Sequence, residues 1–230
     1  MTTAKITRHR RPGLVLGVIL ALTLVVPVQA AARRTHEFVQ ARGTWGFMAG
    51  LVCGEDKSGC VHWVVNVFDG RLQGPDVRRA ERVQRACVQR IGPDQVREDG
   101  LVIGYDFGCA ALPSGGFNVA ADLSSATVAP VIIPLRPCTV DPGSGAVDCD
   151  AAAAPELLAV TSITWRDAIP LDPDRTRQTR DDGTCRVFWA NFLVRSQGEA
   201  ALVLADGRTI IGYGDLTRGS YTLRDRCWAW

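Results

Sequence analysis

An antiparallel, mainly β fold of sandwich-like type, with one amphipathic helix at about residues 75–91, is what this 230-residue sequence predicts. Three observations carry the prediction. Short β-branched and aromatic runs alternate in polarity and end at turn dipeptides, the pattern of half-buried strands. Asp206-Gly207 separates Ala200–Ala205 from Arg208–Tyr213, and hairpin turns of the primed types favour an Asp-Gly pair. One segment alone repeats its apolar residues at spacings of three and four.

The elements follow in chain order. Lys5, Arg8, Arg10 and Arg11 precede the apolar run Leu14–Val26, then Pro27 and the small residues Ala30, Ala31 and Ala32. Basic, apolar and small-residue regions in that order are those of a secretory signal peptide, with cleavage expected after Ala30 or Ala32. The 13-residue run is short for a membrane span of ~20 residues. An uncleaved, membrane-anchoring N-terminal segment is the alternative.

Cys60–Phe68 reads as a strand that stops at Asp69-Gly70. Pro75 suits the first helical position and Gly92-Pro93 is a stop signal. Between them Val77, Ala80, Val83, Cys87 and Ile91 form an apolar stripe, with Arg78, Arg82 and Arg85 opposite and Glu81 placed four residues before Arg85. Leu101, Ile103, Tyr105 and Phe107 alternate, as do Phe117, Val119, Ala121 and Leu123. The run Val128–Leu135 contains Pro130 and Pro134, with Pro137 just beyond, so an edge strand or extended loop is expected there. Leu158–Trp165 and Cys185–Val194 complete the strands.

The two halves echo one another. Cys60, Asn66, Ile103-Gly104-Tyr105, Asp122-Leu123-Ser124 and Cys138 match Cys185, Asn191, Ile211-Gly212-Tyr213, Asp215-Leu216-Thr217 and Cys227. Cysteine-to-isoleucine spacing is 17 residues longer in the first half, the length of the expected helix. The organisation is therefore a β module at 31–149 with a helical insertion, joined through Asp150–Pro155 to a second at 156–230, or one continuous domain at 33–230.

Export decides how the eight cysteines are read, since an oxidising compartment favours bridges over ligands or nucleophiles. Two pairings are open. Module equivalence gives Cys60–Cys138, Cys185–Cys227, Cys87–Cys109 and Cys53–Cys149. Neighbour pairing gives Cys53–Cys60, Cys87–Cys109, Cys138–Cys149 and Cys185–Cys227. A chain of about 200 residues buries roughly 70% of its unfolded surface, so bridges reinforce a core rather than replace one.

Charge and composition narrow the function. The chain has 26 basic and 24 acidic side chains; residues 1–30 hold four of the basic and none of the acidic, leaving the exported part at −2. Such a balance gives no global argument for nucleic acid. Lysine is confined to Lys5 and Lys57, an arginine-for-lysine usage that points to a GC-rich bacterial genome.

Catalytic vocabulary is sparse. Beyond the signal the histidines are His36 and His62, and no Gly-x-Ser-x-Gly elbow is present. Cys53 and Cys60 are too far apart in sequence for the usual Cys-x₂₋₄-Cys zinc spacing. The charged stretch Arg166–Thr184 is expected to be a solvated loop; its Asp172, Asp174, Asp181 and Asp182 are offset by Arg175, Arg177 and Arg180, so Ca²⁺ is not expected. No cofactor is expected. Trp228 and Trp230, after the last strand, are candidates for an exposed aromatic contact, and Arg224 and Arg226 oppose a lipid-facing reading of that strand.

The sequence thus points to a secreted, disulfide-stabilised binding or envelope-associated protein, non-catalytic, with candidate contacts at Arg78, Arg82, Arg85, Trp228 and Trp230. The expected partner is an extracellular protein or cell-envelope polymer. A small hydrolase using carboxylates and an extracellular protease inhibitor are the alternatives. The inhibitor would present Cys138–Cys149 or Arg166–Thr184 as its loop.

Overall fold

The computed structural model describes residues 38–54, 59–74, 77–181 and 185–227; the expected signal segment at 1–30 lies outside them. Nearly all of this is antiparallel strand. β1 is Phe38–Val52, β2 Val61–Gly74, β3 Val77–Ile91, β4 Gly104–Ala111, β5 Phe117–Val119 and β6 Ala126–Val128. β7 is Val131–Val140, β8 Val147–Cys149, β9 Glu156–Asp181, β10 Cys185–Leu204 and β11 Thr209–Cys227.

These strands form one sheet, not two stacked ones. β1 to β4 pair in sequence order, β4 then pairs with β7, β6 and β7 both pair with β9, β9 to β11 follow in order, and β11 returns to β1. Eight strands, β1–β2–β3–β4–β7–β9–β10–β11, therefore close into a barrel, which removes the exposed edges that a sandwich would leave. Both sequence halves contribute strands to this one sheet.

The expected helix at 75–91 is instead the 15-residue strand β3. It has register partners on both sides, β2 along most of its length and β4 from Arg85 to Arg90. Two ladders and the Cys87–Cys109 bridge between directly opposed residues outweigh helical periodicity. The alternation that matters was present in the same residues: Ala86 and Val88 are buried in the core while Cys87 turns the other way to Cys109. The 17-residue spacing difference is accordingly a barrel strand rather than an insertion.

The proline-bearing run is a barrel strand too. β6 and β7 pair with β9 in one unbroken register, Ala126↔Trp165 through Leu135↔Glu156, interrupted only at Ala129-Pro130. β7 then changes partner, meeting β4 from Arg136 onward. Pro134 and Pro137 each stand where a single neighbour is in register, so the missing N–H interrupts no second ladder.

The core fills the barrel. Met48, Val65, Val67, Val88, Ile133, Leu135, Ile163, Leu202, Ile210 and Leu216 are all essentially buried. Trp165 lies across the middle, its indole Nε1 donating to the Phe47 carbonyl at 2.7 Å. Gly46 and Gly214 make room for it: a Cβ at either would lie within 2.8 Å of the ring. The β5–β6 hairpin folds inward, setting Phe117 edge-on to Trp165 at 5.9 Å. The positions facing inward are thus apolar, the arrangement of a packed barrel rather than of a water-filled one.

Disulfides staple sheet neighbours. Cys53–Cys60 closes the β1–β2 hairpin, Cys87–Cys109 joins β3 to β4, and Cys138–Cys149 joins β7 to β8. The module-equivalent pairings Cys60–Cys138 and Cys53–Cys149 are therefore overturned. No helix of the described residues is long and apolar enough to cross a membrane.

Candidate functional site

Six strands run on past the closed barrel. β9, β10, β11, β1, β2 and β3 continue beyond the end of β4 and β6 and stay paired out to residues 181, 185, 227, 38, 74 and 77, with register shifts between β9 and β10 and at Leu72/Gly74. The stretch Arg166–Thr184 is for the most part this prolongation of β9, not a loop. A strand's side chains alternate faces strictly, so the face that points inward in the barrel continues as one face of the extension.

That face changes character where the barrel ends. On β10, Leu204, Leu202 and Ala200 give way to Phe192, Phe188 and Arg186. On β11, Ile210 and Leu216 give way to Arg218 and Arg224, with Ser220 and Thr222 between. On β1, Met48 gives way to Thr44, Arg42 and Gln40; on β2, Val65 and Val67 give way to Asp69 and Arg71; on β3, Val88 and Ala86 give way to Gln84 and Arg82. β9, whose pairing to β10 shifts three times, adds Arg175, Arg177 and Thr179 opposite Phe192, Ala190 and Phe188. Eight exposed arginines thus share a face with two acids, Asp69 and Asp181.

The turn of the β5–β6 hairpin marks the boundary. Leu123, at φ 59°, is buried over the core and its carbonyl accepts a 2.6 Å hydrogen bond from the Ser196 hydroxyl. Arg218 donates to the carbonyls of Ala120 and Ala121 at 3.3 and 3.0 Å. The Ala168 amide donates to the Ser124 carbonyl. The turn therefore separates a dry interior from a charged, open surface. On β1 and β2 the two backbones approach closely at Gly43 and Gly70, where a Cβ on either would meet the other strand's backbone at 2.3 Å.

The arginines on this face are held in place. The Arg175 guanidinium lies 4.9 Å from the Phe192 ring centre and that of Arg177 5.5 Å from Phe188. Arg82 reaches Asp69 at 3.4 Å. Arg177, Arg186, Arg224, Thr179 and Phe188 line a groove of about 370 Å³.

The opposite end of the barrel has a cleft of about 580 Å³, walled by Val52, Val61, Trp63 and Ile210 with Arg90, Asp106 and Arg208 among its polar residues. Arg90 sits over the Trp63 ring and donates to Asp106 and Glu156 at 2.8 and 2.5 Å. Those two carboxylates raise the Arg90 pKa, and the Arg90 hydrogen bond holds Glu156 below the usual carboxylate range.

The predicted contact residues do not come together. Arg82 and Arg85 are three apart on a strand and so point to opposite faces: Arg82 is exposed on the basic face, Arg85 is half-buried and its pKa is lowered by burial. Glu81 and Arg85, four apart, cannot meet along a strand as they would on a helix. The Arg78 side chain, Trp228 and Trp230 lie outside the described residues, as does Asp182. His62 is exposed on the barrel's outer surface, opposite Leu51 and Ile91 in register. Among the described residues no three His, Cys, Asp or Glu side chains cluster as metal ligands.

Sequence reading missed most of the arginine face. Its signal is the alternation Arg175-x-Arg177 followed by Arg186-x-Phe188-x-Ala190-x-Phe192 across Asp182-Gly183, the same dipeptide that marks the Asp206-Gly207 hairpin. No protein-family model matches the chain, and no curated protein matches it.

Proposed function

We propose that this protein is a secreted, non-catalytic binding protein, residues 33–230 forming one continuous domain, and that the open inward face grips an anionic cell-envelope polymer. One observation carries the reading: along unbroken strands, one face turns from buried apolar residues to exposed arginines at the point where the barrel stops closing. Among the described side chains this face holds eight exposed arginines and two acids, one of which, Asp69, pairs with Arg82, and such an excess of positive charge on one sheet face attracts an anionic partner. Arg175 and Arg177 already lie over the Phe192 and Phe188 rings, which lowers the ordering cost of binding.

The alternatives have less support. Asp106 and Glu156 are close enough to resemble a glycosidase pair, but such a pair needs one carboxyl kept protonated, and Arg90 acts in the opposite direction on Glu156. The turn bridged by Cys138–Cys149 curls onto its own Asp141 carboxylate, which accepts from the Gly143 and Ser144 amides, and offers no extended segment to a protease cleft.

The test is binding of fluorescent dextran sulfate to the oxidised protein at 50 and 300 mM NaCl. Binding that weakens at least tenfold with salt, and is lost in R175E/R177E/R186E with an unchanged melting temperature, is expected. Equal binding by wild type and variant contradicts the proposal.

A further inference from the structure

We infer that this protein pairs with a second copy of itself along the outer edge of β9, Arg175–Asp181 lying antiparallel to the same residues of the copy. The barrel offers no such edge, because its eight strands close on one another. The extension does. Beyond Trp165, β9 has β10 as its sole strand neighbour among the described residues, and β3 has β2 alone short of Arg85. The first part of the β9 edge is irregular: it holds Pro170 and Pro173, a φ of 50° at Asp167 and two shifts of register against β10. From Asp174 to Asp181 the strand runs against Leu193–Arg186 with no shift and no proline. Its outer side there is a regular row of backbone N–H and C=O groups, the template that another strand completes.

Charge selects the copy as the neighbour and sets the register. In an antiparallel pair related by a two-fold axis perpendicular to the sheet, opposed residues share a face, so their numbers are both odd or both even. Like charges directly opposite destabilise such a pair. Centring on Arg177 sets that arginine against itself, and centring on Thr176 sets Arg175 against Arg177. Centring on Gln178 opposes Arg175 to Asp181, Thr176 to Arg180 and Arg177 to Thr179, each twice, with Gln178 against its own copy. No like charges meet. Centring on Thr179 avoids them too, but it pairs only residues 177–181 where Gln178 pairs 175–181. The β3 edge is less suited, since centring on Glu81 or Arg82 opposes each to its own charge. The axis leaves both arginine-bearing faces on one side as a continuous surface, yet the pairing itself needs no polymer.

Sedimentation equilibrium of the full chain, purified with its disulfides intact and without any polymer, reads the pairing. Twice the monomer mass is expected at about 100 µM, falling to the monomer on dilution. D181R is expected to weaken association at least tenfold, and R175D/D181R, which exchanges the opposed charges, to return it to within threefold of wild type. Both variants should keep the wild-type far-ultraviolet spectrum. Single cysteines at 177, 178 and 179 report the register. Under mild oxidation Q178C is expected to bridge two copies at least fivefold faster than R177C or T179C, because opposed Cβ atoms lie about 4.5–5.5 Å apart. Fastest bridging by R177C overturns the register and its charge argument. Assemblies larger than two, the mark of head-to-tail pairing of β9 with β3, overturn the two-fold arrangement. Monomer mass throughout, with dextran sulfate still bound, overturns the pairing and leaves the anion-binding reading standing.

Discussion

The closed barrel and the open extension are made from the same strands, yet they solve different problems. In the barrel, β1, β2, β3, β10 and β11 turn Met48, Val65, Val88, Leu202 and Leu216 inward, where all five are buried. Beyond the Ala120–Ser125 turn the same faces carry Arg42, Arg71, Arg82, Arg186 and Arg218, all exposed. The first region is where the folding free energy is concentrated, since burial of apolar area scales with stability. The second buries its opposite face, where Ala41 and Phe68 are enclosed and Trp45 packs against Phe68, and turns its charge to the open one.

This contrast sets the order of mutational effects. The largest is expected inside. Trp165→Ala removes the ring that spans the barrel and abandons its bond to the Phe47 carbonyl, at a cost of about 3–5 kcal/mol in urea unfolding. A loss under 1 kcal/mol would show that the barrel centre is not the main support.

The next effect links the two regions. Cys185 and Cys227 are direct register partners at the far end of the extension, the relation shared by the bridged pairs Cys87/Cys109 and Cys138/Cys149. A bridge there is expected, and by chain entropy the double serine variant loses about 4 kcal/mol. Peptide mapping without reductant checks the pairing; Cys185 recovered with any other cysteine refutes it.

Smaller is the boundary itself. Ser196→Ala strands the Leu123 carbonyl above the core and is expected to cost about 1–3 kcal/mol, read from the shift in urea midpoint. At the cleft end, Arg90 depresses the Glu156 pKa, so the folded state binds that proton less readily than the unfolded chain. The resulting stabilisation is complete above the ordinary glutamate range and fades as pH falls through the depressed value. Melting temperatures of wild type and Glu156→Gln should therefore converge as pH drops from 7 towards 3. Curves that stay parallel would remove Arg90–Glu156 from the account.

Smallest on stability is the basic face. R175E/R177E is expected to shift unfolding by no more than about 0.5 kcal/mol, while abolishing the binding described above. An effect as large as that of Trp165→Ala would mean that these arginines serve the fold.

What the sequence disclosed follows the same division. Alternating runs bounded by turns identified the strands near Cys60–Phe68, Leu158–Trp165 and Ala200–Tyr213, because a half-buried strand writes its two faces directly into the residue order. β3 was hidden because Val83, Ala86, Cys87, Val88 and Ile91 satisfy a helical and an alternating pattern at once, and only pairing with β2 and β4 decides between them. The arginine face was hidden for another reason. Alternation with arginine in the inward place resembles solvated charge, and Arg42, Arg71, Arg82, Arg177 and Arg218 come from five strands that register alone brings side by side. Bridges between sequence neighbours were within reach of the spacing, whereas the apparent repeat suggested pairings that the meandering strand order does not permit.

Hydrogen–deuterium exchange with and without dextran sulfate tests the central claim most directly, because it reports on both regions in one experiment. Added protection should fall on residues 175–181, 186–194 and 218–224, with residues 61–67 and 86–91 unchanged. Protection confined to the cleft around Trp63 and Arg90, with the arginine-bearing strands untouched, would contradict the assignment of the open face as the binding surface.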